Sequence, residues 1–258
     1  MKGVFLLHGF LTSPKDCVPL VCDLKKIYDK VYCPLYPGHG TRKVRFRAED
    51  LFALVESEFK KFTAECDVVD VIGFSMGGAI ATYLASKYEF RNLVLMAPAN
   101  KYYNFAFLPM TAVYYTKMFF RGLRYRRLAK KDGDYSLVDK VKSDIKELNK
   151  NKRISIYMAA TQVVPNWTPS NIKNFRYIAK TCNKAIADAG SINKPTVILW
   201  GHLDQLVSIK SPKFLYDKVS SDKKSMFIFD DMTHLMLYSN DPSELINAII
   251  SFLKRNDC

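Results

Sequence analysis

Residues 68–88 read VVDVIGFSMGGAIATYLASKY. The first part is a mostly apolar run that predicts a buried strand over Val68–Gly73, and the second part predicts a helix over Met76–Tyr88. Where the two meet, GFSMG at residues 73–77 matches the pattern G-x-S-x-G, in which a strand turns sharply into a helix and exposes the hydroxyl of Ser75. Side chains two residues before and after that serine would crowd the turn, so glycine fits at both positions. The alternative is a tight structural turn whose serine only caps the helix.

The same alternation of short apolar runs and helical patterns extends through most of the chain. The predicted strands are Gly3–Leu7, Val31–Leu35, Val68–Gly73, Leu93–Met96, Thr196–Trp200 and Ser225–Phe229. The predicted helices are Pro14–Tyr28, Ala48–Thr63, Met76–Tyr88 and Asp241–Lys254, the last with Asp241 as a cap and Pro242 in its first turn. Continuously apolar strands that alternate with helices indicate an α/β fold with a parallel sheet covered on both faces.

Residues 100–194 interrupt this regularity. The stretch is aromatic and basic, contains helical patterns and lacks a convincing strand of the same type. We therefore predict a helical insertion between the fourth and fifth strands, with residues 1–99 and 195–258 forming the two parts of one core. A chain of 258 residues is long enough for one such domain and short for two independent ones.

The serine of the turn would need a partner to become reactive. A serine hydroxyl is a weak nucleophile unless a general base takes its proton and a third group holds that base. Where G-x-S-x-G marks the nucleophile, the order along the chain is serine, acid, histidine. The four histidines of the chain are His8, His39, His202 and His234. Only His234, a few residues after the sixth strand, comes late enough, the alternative being an exposed loop histidine.

The acid is expected in the loop after the fifth strand. Asp204 lies there, at the carboxyl end of its strand, where parallel sheets meet their ligands. Asp230 and Asp231 are its rivals, but both precede His234 in the same loop and would have to reach the imidazole from behind. The sequence therefore favours Asp204.

Such a site also needs two backbone N–H groups for the negative charge that develops on a substrate oxygen. The first is assigned to Met76, directly after the serine and at a helix N-terminus. The second is assigned to Phe10, in the His8-Gly9-Phe10 segment that ends the first strand, with Gly9 permitting an unusual backbone. For His8 itself we expect a structural hydrogen bond.

Five motifs support a family resemblance. They are HGF at 8–10, YPGHG at 36–40, GFSMGG at 73–78, GHLD at 201–204 and TH at 233–234. Through them the chain resembles bacterial carboxylesterases and monoacylglycerol lipases of the α/β-hydrolase superfamily. The resemblance implies a cap domain over the site at residues 100–194, and strands in the spatial order second, first, third, fourth, fifth, sixth. The family usually has one or two strands before the one ending in His-Gly, so we expect a trimmed, essentially all-parallel sheet of about six strands.

A serine at the turn indicates an enzyme that transfers acyl groups. Related enzymes that open epoxides or cleave carbon–halogen bonds have an aspartate at this position. We expect a hydrolase of small-molecule apolar acyl esters, such as monoacylglycerols or short- and medium-chain esters, with no metal and no cofactor. The alternatives are a thioesterase or peptidase of this fold, a membrane-associated lysophospholipase, or a binding protein without activity. The aromatic residues assigned to an acyl pocket, or otherwise to the core of the cap, are Phe105, Phe107, Tyr115 and Phe119.

The composition bears on partners and location. The formal net charge of +14 suggests anionic partners, although a general lysine bias is the alternative, and no nucleic-acid-binding motif is present. The six cysteines are scattered without a CxxC pair, which predicts reduced thiols in a cytoplasmic protein. No apolar stretch approaches the roughly 20 residues of a transmembrane helix.

One basic pattern falls within the insertion. Its residues, spaced as one helical stripe, are Lys117, Arg121, Arg124, Arg127 and Lys131. We call them the basic stripe, and on the opposite side of the same helix we expect Leu123. A basic amphipathic helix on a cap predicts peripheral contact with anionic membrane, and a solvated cap face is the alternative.

Overall fold

The computed structural model describes residues 1–103, 107–139, 164–239 and 241–256, with side chains for all of these except 107–119 and 164. Six parallel strands form one sheet in the order β2-β1-β3-β4-β5-β6. The strands are β1 (Lys2–Leu7), β2 (Lys30–Tyr32), β3 (Val68–Phe74), β4 (Leu93–Met96), β5 (Thr196–Gly201) and β6 (Lys224–Phe229). The predicted number, direction and order of the strands are confirmed.

Seven longer helices lie within the described residues. They are α1 (Val18–Leu24), α2 (Ala48–Glu65), α3 (Met76–Ala85), α4 (Phe107–Asp132), α5 (Pro169–Asp188), α6 (Lys210–Lys218) and α7 (Ser243–Arg255). Short helical turns occur at Pro14–Cys17, Val164–Asn166 and Met236–Tyr238.

Three predicted boundaries are wrong beside a proline, and the predicted helix Met76–Tyr88 is also wrong at its end, because α3 ends at Ala85. The predicted helix Pro14–Tyr28 divides into a 3₁₀ turn and α1, because Pro19 has no N–H to continue the ladder. The second strand ends at Tyr32, two residues before Pro34. At α7, Pro242 is the N-cap rather than the first helical residue, and Asp241 Oδ1 accepts a hydrogen bond of 2.9 Å from the Ser243 N–H.

The core consists of two apolar clusters, one on each face of the sheet. Alternate residues of β1 divide between them, with Phe5 and Leu7 in one cluster and Val4 and Leu6 in the other. The first cluster is closed by α2, α3, α5 and α6, and the second by α1 and α7. Burial on both faces explains why the central strands β1, β4 and β5 are apolar along most of their length rather than alternating.

Helix α5 lies inside the predicted insertion, yet it packs against α3 and α2. Its inward residues Phe175, Ile178, Cys182 and Ile186 belong to the first core cluster. The helix begins at Thr168, whose hydroxyl accepts a hydrogen bond of 3.2 Å from the Asn171 N–H. The limits of the cap at residues 100 and 194 stay a prediction.

Candidate active site

The turn between β3 and α3 places Ser75 in a strained conformation, with φ of 55° and ψ of −116°. A β-carbon at Gly73 would lie 2.4 Å from the carbonyl oxygen of Gly77. One at Gly77 would lie 2.1 Å from the carbonyl oxygen of Leu7. Both glycines are therefore required by close packing, as the sequence pattern predicts, and the second also brings the start of α3 against the end of β1.

A chain of two hydrogen bonds starts at this serine. His234 Nε2 lies 2.9 Å from Ser75 Oγ, and His234 Nδ1 lies 2.7 Å from Asp204 Oδ2. The other carboxylate oxygen of Asp204 accepts hydrogen bonds of 2.8 and 2.9 Å from the N–H groups of Leu206 and Val207. A carboxylate held in this way accepts the Nδ1 proton of His234, which leaves Nε2 as an acceptor facing the serine hydroxyl.

The loops that carry Asp204 and His234 are joined to each other. A β-carbon at Gly201, the last residue of β5, would lie 2.3 Å from the carbonyl oxygen of Met232. The Leu203 N–H donates a hydrogen bond of 3.0 Å to that same oxygen. Gly201 thus lets the histidine loop cross directly over the end of β5, a role that the sequence analysis did not assign. A glycine three residues before a candidate acid was the available signal.

The aspartates and histidines that were considered from the sequence but not favoured for catalysis are exposed, except His39 and His8, which are buried, the latter as expected for a structural residue. The rival acids Asp230 and Asp231 are both exposed at the end of β6. His202 is exposed in the loop that leads to Asp204. His8 is fully buried.

The segment after β1 carries the predicted second N–H donor, Phe10. The expectation that Gly9 adopts an unusual backbone is wrong, because the residue with positive φ in this loop is Leu11, at 59°. Gly9 instead permits close approach, since a β-carbon there would lie 3.1 Å from the ring of Phe74. Met76, the other predicted donor, is the first residue of α3, so its N–H has no acceptor within the helix.

The orientation of the Phe10 N–H follows from the carbonyl of Gly9, which belongs to the same planar peptide unit. That carbonyl oxygen accepts a hydrogen bond of 2.9 Å from Thr12 Oγ1, and His8 Nδ1 lies 3.0 Å from it. Tyr36 holds the imidazole of His8 by stacking at 3.8 Å between ring centroids, and its hydroxyl donates to the His8 carbonyl at 3.1 Å. A peptide unit fixed through its oxygen has its N–H fixed in the opposite direction.

Two histidines around this loop are kept neutral. Burial, and to a smaller extent the neighbouring His39 ring, lowers the pKa of His8 to about 3. Burial also lowers the pKa of His39 to about 4. Because both pKa values lie below the ordinary value of 6.5, the unfolded chain binds protons at these positions that the folded chain does not.

Stability should therefore fall on acidification. Below pH 6.5 we expect each of His8 and His39 to lower the free energy of unfolding by about 1.4 kcal/mol per pH unit, until the lowered pKa is reached. Urea denaturation between about pH 7.5 and pH 5.5 measures this slope. His39→Asn should reduce it, and His202→Asn, at an exposed position, should not. A wild-type stability that is constant over this range would contradict the prediction.

An aromatic wall lies beside Phe10. The ring of Phe10 contacts Phe46, Trp167 and Phe175, with centroids 6.2, 6.0 and 5.1 Å away, and Tyr103 packs on Phe175 at 4.9 Å. Apart from Tyr103, these residues could not be assigned to a pocket from the sequence, because they come from segments far apart in the chain. The predicted pocket residues, Phe105 and the side chains of Phe107, Tyr115 and Phe119, lie outside the described residues.

The described residues contain no group of three histidine, cysteine or acidic side chains placed to hold a metal ion. None of their helices combines the length and the apolar character needed to cross a membrane.

Comparison with known proteins places the chain in a family. Residues 2–242 match the model of the hydrolase family described as Serine aminopeptidase, S33. The chain belongs to this family. A carboxylesterase from Bacillus subtilis is 22% identical over 99% of the chain and 94% of its own length. A thermostable monoacylglycerol lipase from a Bacillus species is 36% identical, but over only 32% of the chain and 34% of the lipase.

The family's fold is also found among solved structures. One of a metagenome-derived lipolytic enzyme superposes with a TM-score of 0.68 at 18% identity, covering 98% of this chain and 94% of that one. The α/β-hydrolase fold is thereby confirmed. The comparisons also confirm the predicted resemblance and enzyme class, a hydrolase of the lipase and esterase type.

Proposed function

We propose that the protein is a serine hydrolase of carboxylic esters with apolar acyl groups, such as monoacylglycerols or short- and medium-chain esters. The observation that carries this proposal is the chain of hydrogen bonds from Ser75 through His234 to Asp204, built on a strained G-x-S-x-G turn. Ser75 is assigned as the nucleophile, His234 as the general base and Asp204 as the group that orients the base.

The reaction follows from the positions of these groups. His234 Nε2 takes the proton of Ser75 Oγ as that oxygen attacks the ester carbonyl, and the N–H groups of Phe10 and Met76 stabilise the oxyanion. His234 then gives its proton to the departing alcohol, which leaves an acyl group on Ser75. Water activated by His234 releases the acid and restores the serine. Asp204 stabilises the imidazolium that forms in both halves of the cycle.

The acyl group is assigned to the aromatic wall beside Phe10. Phe10 and Trp167 are only partly buried, as is Leu206 in the loop that follows Asp204, and all three pack on the core. Apolar surface next to an oxyanion donor fits a hydrocarbon chain, because burial of such a chain stabilises the complex by about 0.8 kcal/mol per CH₂ group.

The hydrogen bonds that hold the peptide between Gly9 and Phe10 lead to a prediction at Thr12. Thr12→Val keeps the shape of the side chain but removes the hydroxyl that donates to the Gly9 carbonyl. A less firmly held Phe10 N–H should lower kcat about 3- to 10-fold with little change in KM, as for a weakened transition-state contact of about 1 kcal/mol. Steady-state ester hydrolysis measures both constants.

Thr63→Val is the matched control. The Thr63 hydroxyl also donates to a backbone carbonyl, that of Lys60 at 3.0 Å, but it lies near the end of α2 on the far side of the domain. This control should leave kcat unchanged. A Thr12→Val enzyme with wild-type kcat would show that the threonine does not position the donor.

A substrate panel tests the proposed function. It compares p-nitrophenyl esters of increasing acyl length, the corresponding acyl thioesters, and aminoacyl p-nitroanilides. We expect the highest kcat/KM for esters, with a preference for medium over two-carbon acyl chains. A clear preference for thioesters or for aminoacyl anilides would instead support the thioesterase or the aminopeptidase alternative.

A second proposal concerns where the enzyme works. The basic stripe is exposed wherever its side chains are described, at Arg121, Arg124, Arg127 and Lys131. Phe120 and Leu128 between them are 62% and 45% exposed, and Leu123, expected on the opposite side, is 37% exposed. This surface supports peripheral contact of α4 with anionic membrane, from which ester or lysophospholipid substrates would be drawn.

We assign the protein to the cytoplasm, because the five described cysteines are all unpaired and reduced thiols are typical of that compartment.

Vesicle binding tests the contact of α4 with anionic membrane. We expect the protein to co-sediment with vesicles containing anionic lipid at low salt and to dissociate at high salt. The triple variant Arg121→Glu, Arg124→Glu, Arg127→Glu should lose binding at least 10-fold. The control Lys15→Glu, Lys60→Glu, Lys173→Glu changes the net charge equally at exposed positions elsewhere. Equal loss in both variants would contradict a specific role for the stripe.

A further inference from the structure

The outer edge of β6 is an open edge of the sheet. β6 is the last strand in the sheet order, and no strand within the described ranges pairs with its outer side. Two apolar side chains of this strand are exposed, Phe227 at 37% and Ile228 at 46%. The opposite edge is formed by β2, which is only three residues long. An edge strand with exposed apolar residues is a template for pairing with another strand, whereas a very short one is not.

The inner pairing of β6 shows which of its backbone groups face outward. The carbonyls of Lys223 and Phe229 accept hydrogen bonds from the N–H groups of β5 and of the residue after it. Odd-numbered residues therefore point their backbone groups at β5. The N–H and C=O groups of the even-numbered residues, including Met226 and Ile228, point away from the sheet.

The sequence around this edge is complementary to itself when reversed. Residues 223–231 read KKSMFIFDD, so that two lysines precede the strand and two aspartates follow it. If a second copy runs antiparallel with Phe227 opposite Phe227, then Met226 lies opposite Ile228. Lys223, just before one strand, then comes beside the turn at Asp230 and Asp231 that follows the other strand. In this register the outward-facing residues pair with each other, apolar residues meet apolar ones, and opposite charges meet at both ends.

We propose that two copies of this chain associate along β6, antiparallel and about a two-fold axis at Phe227, joining their six-stranded sheets into one. Because the same surface is used by both copies, the contact is isologous and closes as a dimer. The ion pair across the contact is Lys223 with Asp231, both exposed in the single chain. Lys224 is already engaged, since its Nζ donates to the Tyr216 and Val219 carbonyls of its own chain at 3.2 and 2.8 Å.

The proposed dimer is independent of the catalytic assignment. An antiparallel contact directs the carboxyl ends of the two β6 strands away from each other. His234 follows that end by five residues. The two catalytic sites would therefore lie at opposite ends of the strands of the joined sheet, away from the contact. The chain's charge of +14 opposes association at long range, but at about 0.15 M salt the Debye length is about 8 Å and only close ion pairs persist.

Sedimentation velocity over a range of protein concentrations at this salt concentration tests the dimer. The wild type should sediment with twice the mass of one chain. Phe227→Arg should shift it to a monomer by placing two arginines on the axis. Lys223→Glu and Asp231→Lys should each do the same, because each brings like charges together. The double variant Lys223→Glu, Asp231→Lys restores opposite charges and should restore the dimer, while Lys15→Glu should stay dimeric.

The double variant that exchanges the charges at Lys223 and Asp231 tests how the two β6 strands are aligned. A wild type that is monomeric at all concentrations would overturn the proposal. So would a dimer that survives Phe227→Arg, since the contact would then lie elsewhere. If the double variant stays monomeric although its circular dichroism and melting temperature match the wild type, the pairing of Lys223 with Asp231 is wrong.

Discussion

Replacement of Ser75 by alanine should lower kcat for ester hydrolysis by on the order of 10⁶, as when the nucleophile of a serine hydrolase is removed. Alanine leaves His234 and Asp204 in place but removes the hydroxyl that His234 Nε2 contacts and that attacks the ester in the proposed reaction. The residual rate should come from substrate binding and the Phe10 and Met76 N–H groups. Hydrolysis of a medium-chain p-nitrophenyl ester measures this loss.

The variant should fold normally. Ser75 is held at a φ of 55°, a value that alanine disfavours as much as serine does, so the strain is unchanged. A melting temperature close to that of the wild type is the control. Retention of more than about one hundredth of the wild-type kcat in a preparation free of contaminating esterase would contradict the assignment of the nucleophile.

Asp204→Asn should lower kcat by about 10⁴-fold, the loss seen when a triad carboxylate becomes an amide. The asparagine oxygen can still accept the N–H groups of Leu206 and Val207, so the loop should keep its shape. Its NH₂ group would then face His234 and donate to Nδ1. The imidazole proton would have to move to Nε2, where it blocks transfer from Ser75.

Asp230→Asn and Asp231→Asn are the matched controls, because both aspartates precede His234 in its own loop and are exposed. Each should retain kcat within about 2-fold of the wild type under conditions where neither dimerisation nor stability differs. A loss at either position comparable to that of Asp204→Asn would move the role of the acid to that residue. The same rate assay, run side by side, decides between the three aspartates.

Much of the fold could be predicted from sequence because the strands are short, continuously apolar and separated by helices. The G-x-S-x-G turn at Ser75 and the single late histidine, His234, are local signals of this kind. The order of the strands came from family resemblance, since an apolar run does not specify its neighbour. Helix ends were missed where Pro19 or Pro242 interrupts an otherwise regular pattern.

The finer parts of the site could not be predicted because they depend on contacts between distant segments. Trp167 and Phe175 line the wall beside Phe10 only after α5 packs against α3 and α2. The close approach at Gly201 depends on a loop about 30 residues later in the chain. The positive φ in the loop after β1 falls on Leu11 rather than on Gly9, and composition gives no sign of this.

Covalent labelling tests the central claim, that Ser75 carries the acyl group during ester hydrolysis, most directly. An alkyl phosphonate ester with a good leaving group mimics the tetrahedral intermediate and should phosphonylate the activated serine. We expect one phosphonyl group per chain, located by peptide mass spectrometry on Ser75, with esterase activity lost in proportion to labelling. Full activity after complete labelling of Ser75, or inactivation with the label on another residue, would contradict it.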